Sequence, residues 1–167
     1  RTILEEACRN GMAKECTIEI NPENVTEEIL TLSPFLTRVS VGIQSMDRDT
    51  LRTLGRNADI LDNERALSLL PSSPFAFNAD IMTAVPGSGV ETTEEDIKKI
   101  ASFGPDHISL YCLTFEEGTP LLERARPIGE EGERAALIAS WRLLSELGYS
   151  HYEVSNFAKD GKECLHN

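Results

Sequence analysis

Apolar and polar residues alternate with a period of two in four short stretches, the mark of strands whose two faces meet different surroundings. The first covers residues 16–20. In the second, 38–44, Val39, Val41 and Ile43 share one side, and Ser40, Gly42 and Gln44 the other. In the third, 75–82, Phe77, Ala79 and Ile81 alternate with Asn78, Asp80 and Met82. The fourth covers 107–113, and a short fifth strand is expected at 152–155. Between these stretches the period lengthens to that of helices. A helix over 2–12 would carry Ile3, Leu4, Ala7 and Cys8 on one face and end at Gly11. Asn24 with Glu27 forms a capping-box pattern for a helix to about 32, stopped by Ser33-Pro34. Helices follow at about 47–54 and 60–70, the second offering Leu61, Ala66, Leu67 and Leu70 for burial. Thr93 with Asp96 resembles another capping box, for a helix to about 103. A long helix at about 131–147 repeats Leu137, Trp141, Leu144 and Leu147.

Strands separated by helices require parallel pairing with right-handed crossovers, so the fold class is α/β. A doubly wound sheet is apolar on both faces. Here each strand sets its apolar face against a small or polar one: Thr17 and Glu19, Ser40 and Gly42, Asn78 and Asp80, then His107, Ser109 and Tyr111. One face is expected under helices and the other around a polar interior, which favours a partial (β/α) barrel of parallel strands in a single domain over 1–167. Glu19, Gln44 and Asp80 stand near the C-terminal ends of their strands, where such barrels gather their sites. They point to a polar ligand or, alternatively, to mutual hydrogen bonding and loop capping. Arg56, after Gly55, suits a bidentate grip on a carboxylate or a surface ion pair. Arg38 opens a strand and reads as structural, and His107 as a half-buried strand histidine. Pro86-Gly87-Ser88-Gly89 has neither the Walker lysine nor GxGxxG and reads as a loop narrowing the barrel mouth. Tyr152, Glu153, Ser155 and Asn156 form a polar patch that either closes the pocket or satisfies a turn.

Composition narrows the partners. With 167 residues, 40% of them hydrophobic, the chain can bury a core. A net charge of −12, with 16 scattered Lys and Arg, argues against nucleic acid and anionic lipid. No apolar run has membrane-spanning length, and no signal-peptide core follows the N-terminus. Cys8, Cys16, Cys112 and Cys164 fit no zinc site, CxxC or disulfide framework. Cys16 and Cys112 read as buried, inert thiols, and a reducing, cytoplasmic setting is expected. Cys164-Leu165-His166 is too compressed for a metal pair.

Several segments, in order and over nearly the whole chain, resemble a known family. Thr17-Ile18-Glu19-Ile20-Asn21-Pro22 resembles its TIEANP, and Arg38-Val39-Ser40-Val41-Gly42-Ile43-Gln44-Ser45 its RISLGVQS, followed by Leu54-Gly55-Arg56 for LGR. Asn78-Ala79-Asp80-Ile81-Met82 running to Val85-Pro86-Gly87 resembles DLIYGLPGQ. Pro105-Asp106-His107-Ile108-Ser109-Leu110-Tyr111 resembles PxHISLY. Tyr152-Glu153-Val154-Ser155-Asn156-Phe157-Ala158 and Cys164-Leu165-His166-Asn167 resemble YEISNFAKPGxxCxHN. The family is the radical S-adenosylmethionine group of haem chaperones and oxygen-independent coproporphyrinogen III oxidases. The resemblance implies a partial β/α barrel, and a 4Fe-4S cluster on a CxxxCxxC loop with S-adenosylmethionine on its open iron. It implies S-adenosylmethionine contacts at Glu19, Gln44, Arg56 and Asp80, with Thr114 a further one. Arg56 would take the methionyl carboxylate, Glu19 the amino group or a ribose hydroxyl, and Gln44 and Asp80 ribose hydroxyls. Haem and haem-accepting proteins are the implied partners of a chaperone. The alternatives are anaerobic decarboxylation of coproporphyrinogen III to protoporphyrinogen IX, or a non-catalytic remnant. The chain departs from the pattern: it has no CxxxCxxC and no GGGTPS-like strand end, Ala58 replaces the His of GRxH, and Thr83-Ala84-Val85 replaces YGL. It is therefore expected to be the middle of such a core, lacking the cluster loop and C-terminal region, with no radical chemistry of its own.

Overall fold

The alternating stretches pair as expected. β1 (Thr17–Ile20), β2 (Arg38–Gln44), β3 (Ala76–Thr83) and β4 (His107–Cys112) lie side by side and parallel. The computed structural model describes residues 2–7 and 14–165. Cys8 and Gly11 of the expected first helix, and His166-Asn167, lie outside the described residues. What is described of that helix is α1 (Thr2–Ala7).

The last part of the sheet differs from the expectation. The single strand foreseen at 152–155 is a hairpin of β5 (Ser150–Glu153) and β6 (Asn156–Ala158). Its two-residue link, Val154-Ser155, is far too short for a crossover and permits only antiparallel pairing. β6 then runs antiparallel beside β4. The sheet order is β1-β2-β3-β4-β6-β5, so the sheet is mixed rather than wholly parallel, and it is open, with β1 and β5 at its edges.

The apolar side chains of the inner strands are buried against helices. Val39, Val41, Phe77, Ala79, Ile81 and Ile108 meet Ala66 and Leu67 of α3 (Ile60–Leu69), Ile97 and Ile100 of α4 (Val90–Ser102), and Leu143 and Leu144 of α6 (Glu130–Glu146) in one core. α2 (Arg48–Thr53) is capped by Asp47, whose side chain accepts from the Thr50 N–H. α3 starts on a reciprocal box between Asp59 and Asp62. Glu130, Glu131 and Glu133 in the first turn of α6 suit the positive end of its dipole. A short α5 (Pro120–Arg124), not among the expected elements, begins at a proline placed where its missing N–H costs nothing.

Three helix expectations fail for local reasons. The segment 24–32 forms two 3-10 stretches, Pro22–Asn24 and Glu27–Leu32, without a side-chain cap. Pro22 starts the first turn early, and Val25 takes extended backbone between the two while its side chain is fully buried, so a continuous helix is lost to core packing. The Thr93–Asp96 box does not form, because α4 already begins at Val90 and both residues lie buried inside it. Leu61 is 70% exposed, since the buried side of α3 runs through Asn63, Ala66 and Leu67.

Candidate functional site

The face of the sheet opposite the core is polar yet largely buried. Ser40, Asn78, His107 and Ser109 wall a cavity of about 550 Å³ that Glu19 and Tyr111 also line. β-Sheet register places them in neighbouring rows: Glu19 beside Ser40, Ser40 beside Asn78, Asn78 beside His107. A buried polar group is costly unless it is bonded, and these bond to one another. Asp80 accepts from Asn78 Nδ2 at 2.7 Å and from Ser40 Oγ at 3.0 Å. Asn78 Nδ2 also reaches Ser40 Oγ at 2.6 Å and Ser109 Oγ at 3.0 Å. Burial pushes the Asp80 carboxyl above the usual carboxylate range; Ser40, Asn78 and Ser109 oppose the shift, and the charge of Glu19 adds to it. His107 bridges Asn78 Oδ1 at 2.6 Å and Tyr152 Oη at 2.7 Å. Burial, helped by the Arg38 charge, drops its pKa to about 4, so the ring is neutral at pH 7.

At the N-terminal end of the strands the cavity has a floor. Arg38 is buried, and its Nη2 donates to the carbonyls of Lys162 and Glu163 at 2.9 and 3.0 Å, with Glu15 3.5 Å from Nε. The thiol of Cys164 and the N–H of Leu165 both donate to Glu15. Burial works to raise the Glu15 pKa, but these bonds and the Arg38 charge outweigh it and bring it below its ordinary value. Arg38 is thus structural, as its strand-opening position suggested, and it straps the segment 162–165 across the sheet.

The opposite rim is strained. Gln44 and Ala84, at the C-terminal ends of β2 and β3, have φ of 65° and 61°, where non-glycine residues are rare. The β2–β3 register also shifts between Val41 and Gln44. A clamp from the helix layer holds this turn. Asn63 Nδ2 donates to the carbonyls of Ile43 and Ser45 at 3.1 and 2.8 Å, and Asp96 accepts from the Met46 N–H at 2.9 Å and from the Ser45 hydroxyl. Burial raises the Asp96 pKa to about 6 against these bonds. Gly42 faces the same rim: a Cβ there would stand 2.9 Å from Gln44 Nε2 and 3.4 Å from Arg56 Nη2. The Arg56 Nη2 is anchored by Asn21 Oδ1 at 2.8 Å and the Gly42 carbonyl at 3.1 Å.

The candidates named from sequence therefore fall into two neighbouring pairs on the polar face. Glu19 and Asp80 face each other electrostatically, and Gln44 and Arg56 meet over Gly42, two residues beyond the Ser40 that binds Asp80. Thr114 is exposed, two residues past β4, and joins neither pair. The polar patch divides: Tyr152 closes the buried network, while Glu153, Ser155 and Asn156 satisfy their own turn. Cys16 precedes β1 and is half-buried; burial, then the Glu133 charge, raises the Cys112 thiol, as suits an unreactive one. Sequence reasoning missed Asn63, Asp96 and the role of Tyr152. Asp96 had a signal: with Thr93, Ile97 and Ile100 it repeats at the spacing of a buried helix face.

The residues fit some groups and not others. Among the described residues, no cluster of His, Cys, Asp or Glu is placed to hold a metal ion, and with no CxxxCxxC the residues present do not fit a 4Fe-4S cluster. The rim suits a small ligand with a carboxylate and hydroxyl donors: Arg56 keeps Nε and Nη1 unbonded among the described residues, and the buried Oε1 of Gln44 has no donor. No helix of the described residues is long and apolar enough to cross a membrane.

No family model matches the chain. Individual proteins do. A zebrafish (Danio rerio) protein described as radical S-adenosyl methionine domain-containing protein 1, mitochondrial, is 33% identical over 99% of this chain and 40% of its own length. The heme chaperone HemW of Haemophilus influenzae is 33% identical over 92% of this chain and 41% of its own. The chain thus spans about two fifths of the length of these relatives. Among solved structures, coproporphyrinogen III oxidase (HemN) from Escherichia coli, described as a radical SAM enzyme, superposes with a TM-score of 0.82 over 96% of this chain and 39% of that one; at 17% identity the likeness concerns the fold.

Proposed function

The chain is a relative of the radical S-adenosylmethionine, HemW-like proteins, and from that kinship we propose that it forms the S-adenosylmethionine-holding wall of a haem-chaperone-like protein. The observation that carries the reading is the rim itself. Among the described residues, Gln44 Oε1 is buried without a donor and the Arg56 guanidinium keeps two nitrogens unbonded, both close to Gly42, two residues along β2 from the Ser40 that binds Asp80. A ligand carboxylate on Arg56 gains a planar, charge-assisted grip, and Asn21 with the Gly42 carbonyl fixes the guanidinium for it. Ribose hydroxyls would donate to Gln44 Oε1 and Asp80, and the ligand amino group or a ribose hydroxyl to Glu19. Thr114 would be a further contact from the loop after β4. S-Adenosylmethionine supplies radical chemistry in such proteins only together with a cluster, and the residues of this chain do not fit one. The polar face would line a partial barrel in the complete protein, with haem and haem-accepting proteins as partners.

Calorimetry of the chain with S-adenosylmethionine tests the wall. Binding is expected to weaken at least tenfold in Arg56→Ala, the loss of about one charge-assisted hydrogen bond. Binding left intact by that change would remove Arg56 from its role. The chaperone reading rests on identity to HemW; decarboxylation of coproporphyrinogen III by the complete protein under anoxia would replace it with the oxidase reading.

A further inference from the structure

A chain of hydrogen bonds leads from the floor of the cavity to the candidate carboxylate Asp80. The Cys164 N–H donates to Tyr152 Oη at 3.1 Å, Tyr152 Oη lies 2.7 Å from His107 Nε2, His107 Nδ1 lies 2.6 Å from Asn78 Oδ1, and Asn78 Nδ2 donates to Asp80 at 2.7 Å. With Asp80 ionised, the polarity of these bonds can be followed link by link from that carboxylate. A carboxylate accepts, so Asn78 must turn its amino group toward Asp80 and its Oδ1 toward His107. Oδ1 has a long contact from Ser109 Oγ at 3.3 Å, but a 2.6 Å approach of Nδ1 needs a proton between the two atoms, so the neutral ring carries its proton on Nδ1. Nε2 is then an acceptor, and the Tyr152 hydroxyl must donate to it while accepting from the backbone of the strap. Reversing any one link sets donor against donor or acceptor against acceptor, in a buried place where that is costly.

We infer that Tyr152, His107 and Asn78 are positioning residues that carry the docking of segment 162–165 to the carboxylate of Asp80. The inference rests on the reading of Asp80 as a ligand-contacting group. Two of the three lie far from Asp80 in sequence, on β4 and β5, and neither touches the rim. Their effect passes through the amide of Asn78: with the His107 proton gone from its side, that amide loses the shortest contact to its oxygen, is held by Ser40 and Ser109 alone, and a flipped state that turns its oxygen toward the carboxylate gains population. The other groups facing Asp80 are Ser40 on β2, Ser109 and Tyr111 on β4 and Glu19 on β1, so Asp80 keeps two hydroxyl donors and one repelling charge when the relay fails. A donor lost from the ionised form raises the pKa, so the Asp80 midpoint should climb.

The test is carbon-detected NMR titration of the Asp80 carboxyl in the parent chain, Tyr152→Phe and His107→Phe, with the His107 tautomer read from its ring nitrogens. The parent should show the Nδ1-protonated tautomer through neutral pH. Tyr152→Phe should mix the tautomers and raise the Asp80 midpoint; His107→Phe should raise it further, by about one pH unit, the scale of one lost charge-assisted bond. An unmoved Asp80 curve in both variants, with the backbone spectrum intact, overturns the proposal. If neither variant folds, the parent decides: a ring protonated on Nε2 overturns it and one protonated on Nδ1 supports it. The same samples titrated with S-adenosylmethionine separate this inference from the proposed function. No binding by the parent defeats that function while a moved Asp80 midpoint upholds the relay. Binding that Tyr152→Phe weakens about fivefold upholds both.

Discussion

The two faces of the one sheet are built on opposite principles although they alternate along the same strands. Toward the helices, Val41, Ala79, Ile81 and Ile108 are stabilised by the area they remove from water, without directional demand. On the other side Ser40, Asn78, His107 and Ser109 are also buried, yet each is held by a specific partner, and its loss strands that partner. The first face tolerates a change of shape in proportion to volume. The second tolerates a change of chemistry hardly at all, which is the property a binding wall needs.

Four substitutions would break or sharpen this contrast. The largest effect is expected at Ile81→Ala, fully buried in the middle of β3, where truncation leaves a cavity under α4 and α6: about 3–4 kcal/mol by urea denaturation. A loss below about 1 kcal/mol would mean that the helix layer is loosely packed. Asn78→Leu keeps the branching and the number of heavy atoms, at a somewhat larger volume, but removes the donor to Asp80 and the acceptor of His107, and should cost about 2–3 kcal/mol in the same assay. A neutral result would show that the polar face is not a satisfied network.

The third change concerns pH. His107 titrates near 6.5 when unfolded and at about 4 in the fold, so its contribution is intact above pH 6.5 and is lost as pH falls toward 4. Asp96 works the other way. Its folded value of about 6 lies above the unfolded 3.8, so it weakens the native state at neutral pH and the penalty is relieved as pH falls from 6 to 4. Asp96→Asn deletes only the second contribution. Stability of the variant should therefore fall on acidification by about 2 kcal/mol more than that of the parent, in denaturation series at pH 7 and pH 4. Parallel curves would refute the burial argument for Asp96. The smallest effect is expected at Leu61→Ser, on the solvent side of α3: within about 0.5 kcal/mol of the parent.

The same contrast explains what was legible in the sequence. The strands β1 to β4 and their two faces could be read because alternation is a local property, and the helices α2, α3, α4 and α6 because their apolar spacing is too. Alternation assigned Glu19 and Asp80 to the polar side of their strands, whereas Gln44 reaches Gly42 from beyond a register shift and with a positive φ, neither of which has a local signal. The hairpin at β5 and β6 was hidden because Val154-Ser155 carries none of the Gly, Asn or Asp that mark tight turns. The 3-10 run after β1 was hidden because burial of Val25, a tertiary event, overrides a sound capping pattern. Partnerships across 40 or more residues, such as His107 with Tyr152 or Ser45 with Asp96, leave no local trace in a single sequence.

The bare α-carbon at position 42 has a genetic consequence. One methyl group there would meet the far ends of both the Gln44 amide and the Arg56 guanidinium, so at least one of them would have to move aside. A change in a single codon can thus disturb two side chains that stand 12 positions apart in the sequence.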